Sequence, residues 1–196
     1  RMDFVAELAR RWVELARVPN PQKRIALILA NYPTRDGRIG NGVGLDTPAA
    51  ALNILRALQA EGYPLEGELP DSGTGLIQAL LGGVSNDLDS LDLRPCMQSL
   101  RLEEYLTMFD RLPEANRQAV IERWGEPQND PMFRSGRLMI AGLRFGLTFV
   151  GIQPARGYQV DASAVYHDPD LVPPHGYLAF YFWLRNSYGA HAVVHV

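Results

Sequence analysis

Arg24-Ile25-Ala26-Leu27-Ile28-Leu29-Ala30 is an unbroken apolar run between a charged approach and Asn31-Tyr32-Pro33. A run of this length and flanking reads as a strand buried on both faces, the kind found in parallel sheets. A long loop follows, from Asn31 to Asp46. Thr47-Pro48 then opens a helix, with Thr47 as N-cap and Pro48 at the first helical position. Leu52, Leu55 and Leu58 hold one face of that helix, and Gly62 stops it. With Tyr63 to Glu66 as the next strand, these pieces form a β-loop-α-β unit. The expected class is therefore α/β, a mostly parallel sheet covered by helices in three Rossmann-like layers.

Working outward, the middle of the chain reads as a helical insertion. Thr74 to Leu81 is a short helix and Ser85 to Pro95 a polar connection. Leu102 to Leu112 and Pro113 to Trp124 are two helices broken at Leu112-Pro113. Gly125 to Ser135 is loop. Leu138 to Ile152 reads as a β-hairpin turning near Arg144 to Gly146. A second long loop, Gln153 to Pro174, leads to a helix from about His175 to Ser187, which Gly189 ends. Ala190 to Val196 is a closing strand. At the other end, Met2 to Val18 carries Phe4, Leu8, Trp12 and Leu15 at helical spacing and is expected to pack on the domain. Residues 1–22 are thus read as an amphipathic helix and linker. Residues 23–196 are read as an α/β segment, incomplete at its C-terminal end, cut from a longer subunit.

Composition narrows the function classes. The 196 residues are 46% hydrophobic and 21% charged, as in ordinary globular proteins, with net charge −3. That balance, with no basic patch, gives no case for nucleic acid. No apolar run approaches the roughly 18 residues that span a bilayer, so no membrane segment is expected. The acidic residues near the start, Asp3, Glu7 and Glu14, exclude a targeting peptide. One cysteine, Cys96, leaves no disulfide framework and no CxxC metal knuckle, which fits a reducing, cytoplasmic setting.

The candidate chemistry lies in the loops. Residues 31–46 contain Gly37, Gly40, Gly42 and Gly44, which let the backbone approach a ligand closely. Gly40-Asn41-Gly42 ahead of a helix imitates a dinucleotide fingerprint. A Rossmann turn, however, runs from strand to helix in about 2–6 residues, whereas this loop takes 16. It also lacks the Gly-Lys-Ser/Thr of a P-loop. It reads as a custom binding loop in which Arg35 and Arg38 suit carboxylates or phosphates, with Asn41 and Gly42 beside them. A surface loop with no ligand is the competing reading. Gln153 and Arg156 fall just past the carboxyl end of an expected central strand, where ligands gather in open α/β sheets. An ordinary salt bridge is the alternative for Arg156. His191 and His195 are four apart, but on a strand four residues span roughly 13 Å, too far for a two-His clamp on one ion. His195, at the carboxyl end, is the better site candidate, and His191 reads as structural. His167 and His175 share one loop and offer a mobile ligand or proton acceptor.

Several of these strings are also familiar as a set. Arg24 to Pro48, Trp124-Gly-Glu-Pro127, Phe149-Val-Gly-Ile-Gln-Pro-Ala-Arg-Gly-Tyr158, Tyr166-His-Asp-Pro-Asp-Leu-Val-Pro-Pro-His175 and Gly189-Ala-His-Ala-Val-Val-His-Val196 stand in one order. Together they resemble the large, tetrapyrrole-binding subunits of the cobaltochelatase and magnesium chelatase family, the aerobic cobalt branch in particular. The resemblance implies insertion of Co²⁺ into a corrin precursor, hydrogenobyrinic acid a,c-diamide, during cobalamin biosynthesis. It implies ATP use by two further subunits of the AAA+ type. The residues read above suit such a substrate: Arg35, Arg38, Asn41, Gly42, Gln153 and Arg156 for binding, and His195, His167 and His175 for proton or metal handling, with no metal ligand set defined. In the family the last strand runs into a Gly-x-His-Gly-x-x-Glu loop, so the isolated segment is expected to be inactive. A docking module for the ATPase subunits and the magnesium-porphyrin branch remain the alternatives.

Overall fold

The computed structural model describes residues 2–31, 39–42, 44–158 and 171–196, the side chains of Asn41 and Gly42 excepted. The apolar run forms β1 (Ile25–Leu29), and all five of its residues are buried. Period-2 alternation divides them between two cores. Ile25, Leu27 and Leu29 pack with Leu55 of α2 (Thr47–Ala60), and with Leu76 and Leu80 of α3 (Gly73–Leu81). Ala26 and Ile28 pack with Tyr105 and Phe109 of α4 (Leu102–Phe109), and with Ala179 and Phe180 of α6 (His175–Phe182). Helices therefore cover both faces, which gives the three layers. Each fully buried Leu or Ile here is worth about 1.5–3 kcal/mol relative to exposure.

The main sheet has the order β7-β8-β1-β9. β8 (Thr148–Ile152) and β9 (Ala192–His195) flank β1, both parallel to it. β7 (Gly142–Phe145) is antiparallel to β8, closing the hairpin at Gly146, whose φ is +61°. Gly151 on β8 is forced by packing. A Cβ there would lie 2.6 Å from Phe149 and 2.9 Å from Phe180, where α6 crosses the sheet.

A second, antiparallel sheet has the order β4-β6-β5, from Gln98–Arg101, Arg137–Ile140 and Phe133–Arg134. α5 (Glu114–Trp124) follows α4 after the break at Leu112-Pro113. β2 (Asn41–Gly42) and β3 (Leu45–Asp46) make a small antiparallel ribbon ahead of α2.

The structure corrects several local expectations. Tyr63 to Glu66 is not a strand; Pro64, with no N–H for a ladder, lies over the hairpin end and accepts from Leu147 N (3.2 Å). The hairpin starts at Gly142 rather than Leu138, because residues 137–140 are drawn into the second sheet. The N-cap of α2 is Asp46, whose carboxylate accepts from Ala49 N (3.0 Å), so Thr47 is already helical. The N-terminal helix α1 (Met2–Arg17) forms as expected but buries no residue. Phe4 is 69% and Trp12 66% exposed. Its internal support comes from Glu7 paired with Arg10 and Arg11 at i+3 and i+4, contacts worth only a few tenths of a kcal/mol each.

Candidate functional site

The parallel strands deliver three chain segments to one end of the sheet. Gln153 extends the ladder past β8, its N–H donating to Leu29 O (2.9 Å). Val196 extends β9, donating to Ile28 O (3.0 Å) and accepting from Ala30 N (3.2 Å). Between them the chain leaving β1 turns back on itself, with Asn31 bridged to Ile39 and Gly40 N donating to Ala30 O (2.7 Å). The exits of β8 and β9 are two strand spacings apart, roughly 10 Å.

The segment after β8 is fixed along its backbone and open at its side chains. Asn86 Nδ2 donates to the Gln153 carbonyl (2.8 Å), and Asn86 Oδ1 accepts from Ala155 N (3.2 Å). Farther on, Tyr158 donates its hydroxyl to Asp130 (3.1 Å) and stacks edge-on against Trp124 at 5.8 Å. Between these anchors Arg156 is half-buried and forms no hydrogen bond or ion pair with the described residues. A guanidinium held out of bulk water without a counter-charge is a ready carboxylate or phosphate binder. The Gln153 side chain is likewise half-buried and forms no hydrogen bond with the described residues.

Asp130 is the hub of this anchoring. Its carboxylate accepts from Gly176 N and Met132 N (both 2.8 Å) as well as from Tyr158. Burial pushes its pKa up against those three donors. Burial also raises Tyr158 far above the usual phenol range, with the Asp130 charge second. Gly176 is required by this crowding, since a Cβ would meet the Tyr158 hydroxyl at 2.7 Å.

The histidines separate into distinct roles. His195 is exposed at the end of β9, its ring 6.5 Å from that of Tyr181 and stacked on it. His175 is fully buried at the first turn of α6. Its Nε2 donates to Gly125 O (2.9 Å), which leaves Nδ1 to accept from the Tyr105 hydroxyl (2.5 Å). With both nitrogens committed it has none for a substrate, so direct proton acceptance is corrected to a bracing contact between α4, α6 and Trp124-Gly125. His191 accepts from Arg24 N through Nδ1 (2.9 Å), a structural bond that joins β9 to the approach to β1. Arg35, Arg38 and His167 lie outside the described residues, as does the side chain of Asn41. Gly42 pairs with Leu45 in the ribbon that leads into α2. The structure thus brings Gln153 and Arg156 together on one segment, and sets His195 across the sheet end from them.

Among the described residues no three His, Cys, Asp or Glu side chains converge on a metal position. No described helix is long and apolar enough to cross a membrane. A cavity of about 560 Å³ opens at the start of α2 and α3, lined by Asp46, Pro48, Asn53, Arg56, Ser72 and Thr74.

Asn86 and Asp130, which anchor the segment after β8, were not legible from the sequence. Ser85-Asn86-Asp87 and Asn129-Asp130-Pro131 have the composition of ordinary turns. Only the tertiary fold reveals that these polar side chains are buried and aimed at the β8 exit.

Comparison with known proteins fits this arrangement. The sequence model of CobN/Magnesium Chelatase matches residues 1–196. The chain is 79% identical over its whole length to the aerobic cobaltochelatase subunit CobN of Pseudomonas aeruginosa, and covers 16% of that protein. It is 49% identical over its whole length to the aerobic cobaltochelatase subunit CobN of a Sinorhizobium species, covering 15%. The solved catalytic subunit of cobaltochelatase from Mycobacterium tuberculosis superposes with a TM-score of 0.79 at 40% identity, over 97% of this chain and 16% of that one. The chain therefore spans about one sixth of the length of these relatives.

Proposed function

The chain belongs to the CobN/magnesium chelatase family, and from that premise we propose that it forms one wall of the corrin-binding cleft of an ATP-dependent cobaltochelatase. The substrates on this reading are hydrogenobyrinic acid a,c-diamide and Co²⁺, and the product enters cobalamin synthesis in the cytoplasm. Two AAA+-type partner subunits hydrolyse the ATP. The cobalt branch is preferred over the magnesium-porphyrin branch because the relatives at 79% and 49% identity are cobaltochelatase subunits. A metal-selectivity assay on the assembled complex decides between them.

One observation carries the reading. Arg156 is a half-buried guanidinium without a counter-charge among the described residues, held on a clamped segment at the carboxyl end of a central strand. A corrin precursor is a wide, flat ligand fringed with carboxylates and amides. Arg156 binds a peripheral carboxylate, Gln153 a neighbouring amide, and the glycine loop with Arg35, Arg38, Asn41 and Gly42 the same edge from β1. His195 stands at the end of β9, two strand spacings (roughly 10 Å) from the exit of β8, on the side from which it would face the macrocycle's interior. A metal entering the ring displaces N–H protons, and an imidazole there accepts one. His167 is the second candidate for that task. His175 serves it indirectly, by fixing the start of α6.

Titrating the full-length subunit with the corrin precursor, followed by absorbance, tests the reading. Arg156→Ala should weaken binding about tenfold or more, the loss of one charge-assisted contact. Unchanged affinity would remove the site from this end of the sheet.

A second reading, that the chain is chiefly a docking module for the ATPase subunits, is favoured by the unburied apolar stripe of α1. Phe4→Ser with Trp12→Ser should then abolish capture of those subunits while corrin affinity is retained. Capture at the wild-type level would dismiss it.

A further inference from the structure

We infer that Asn86 is a positioning residue for Arg156, and this rests on the corrin-binding reading above. Beyond the Gln153 N–H the chain leaves the ladder, and the Gln153 carbonyl and Ala155 N–H have no strand partners. Both groups must be satisfied from elsewhere. Pro154 between them has no N–H to offer. Asn86 supplies a donor to one and an acceptor to the other, at 2.8 and 3.2 Å. Its amide has a single orientation that makes both bonds. Aspartate lacks the donor, and an aliphatic residue lacks both partners.

Asn86 is itself held rigidly. Its neighbour Ser85 is fully buried and accepts from Asp87 N (3.2 Å) and Arg94 Nη1 (3.0 Å). Arg94 also pairs with Asp87 at 3.5 Å. Val84 N donates to Pro95 O (3.1 Å), closing the segment, and Arg134 ties the Leu91 and Arg94 carbonyls to the second sheet. The polar connection of residues 85–95 is therefore a braced platform carrying one amide, and that amide sets the backbone on either side of Pro154. The Arg156 side chain stays free while its backbone origin is fixed. That is preorganisation of a binding group, whose loss through a displacement of about 1 Å costs up to a hundredfold.

The test uses the full-length subunit titrated with hydrogenobyrinic acid a,c-diamide, with circular dichroism to monitor folding. Asn86→Ala and the near-isosteric Asn86→Asp should each weaken binding about tenfold or more. The double variant Asn86→Ala, Arg156→Ala should bind no more than about twofold weaker than Arg156→Ala alone, because Asn86 acts through Arg156. A purely structural role would not produce that coupling. Wild-type affinity in both Asn86 variants overturns the inference, and so does an additive loss in the double variant. Failure of both single variants to fold assigns Asn86 to the scaffold and overturns it too. An unchanged Arg156→Ala titration takes down the binding reading itself, whereas a weakened Arg156→Ala beside unaffected Asn86 variants takes down this inference alone.

Discussion

Asp130→Asn alters one side-chain atom at nearly constant volume, in a place where the carboxylate accepts three hydrogen bonds while only 5% exposed. An amide has one acceptor. Its NH₂ must face either Met132 N–H and the Tyr158 hydroxyl, or Gly176 N–H. The second is cheaper, since one donor is orphaned rather than two. That choice forfeits a charge-assisted bond of about 1.5–3 kcal/mol and about 0.5 kcal/mol of charge at the N-terminus of α6. Against this, asparagine escapes the burial that pushes the Asp130 pKa up. The net expected loss is about 2–3 kcal/mol, or about 5–10 °C in Tm for a chain of this size. Tyr158→Phe removes one neutral donor and leaves Oδ1 with Met132 N, so it should cost about 1 kcal/mol. Urea denaturation followed by tryptophan fluorescence reads both, because Trp124 stacks on Tyr158. A loss below about 0.5 kcal/mol for Asp130→Asn, or a larger loss for Tyr158→Phe, would refute the hub role. The pH dependence adds a sign. Between the ordinary carboxylate pKa and the raised folded one, the folded chain keeps a proton that the unfolded chain has released. Stability therefore falls as pH rises through that window, and the asparagine variant should lack the slope.

Three further outcomes are expected. Thr148 is fully buried and its hydroxyl has no partner among the described residues. Thr148→Val should therefore be neutral to about 1 kcal/mol stabilising in urea, and a clear destabilisation would contradict the buried, unpaired hydroxyl. Burial first, then the Arg24 charge, lowers the His191 pKa below its ordinary 6.5. Stability from this group is present above that value and is lost as pH falls below it. His191→Asn retains an acceptor for Arg24 N and should show a smaller drop in urea midpoint between neutral and mildly acid pH; an identical drop would sever the link. Gly151→Ala should cost about 1–3 kcal/mol by driving a methyl into Phe149 and Phe180, and thermal denaturation at wild-type temperature would show that α6 shifts freely.

What the sequence disclosed and what it hid follow one physical division. β1 was legible because burial on both faces leaves no polar position, and Ile25 to Leu29 is such a run. α2, α3, α4 and α5 were legible through spacing and breakers, each within a residue or a few of its observed bounds. β4 was not, since Gln98-Ser-Leu-Arg buries only Leu100 fully and pairs with a strand almost 40 residues away. The amphipathic stripe of α1 was read correctly, but a stripe specifies a helix and a sticky face without saying what covers that face. The site shows the same division. Gln153, Arg156 and His195 could be placed at strand exits because position relative to a strand end is a local property. His175 looked equally promising at the end of a His-rich loop, yet its burial and its bonds to Tyr105 and Gly125 depend on distant segments. Asn86 and Asp130 were invisible for that reason.

The distribution of committed and uncommitted polar groups is itself an argument about what this end of the sheet is for. Buried polar side chains normally find partners, and His175, Asp130 and Asn86 do. The candidate side chains without a hydrogen bond to the described residues lie at the strand exits: Arg156 and Gln153, half-buried, after β8, and His195, exposed, at the end of β9. Their backbones are fixed by the ladder to Leu29 and Ile28 and by the clamps at Asn86 and Asp130. A surface selected only for folding has no reason to immobilise main chain and leave a half-buried cation upon it with no partner among the described residues. Such an arrangement lowers the entropy lost when a ligand is bound, while keeping its charge available. The surrounding protein is six times longer in the relatives. On the corrin-binding proposal, this chain's part is a rigid edge that presents fixed donors to a large carboxylated ring.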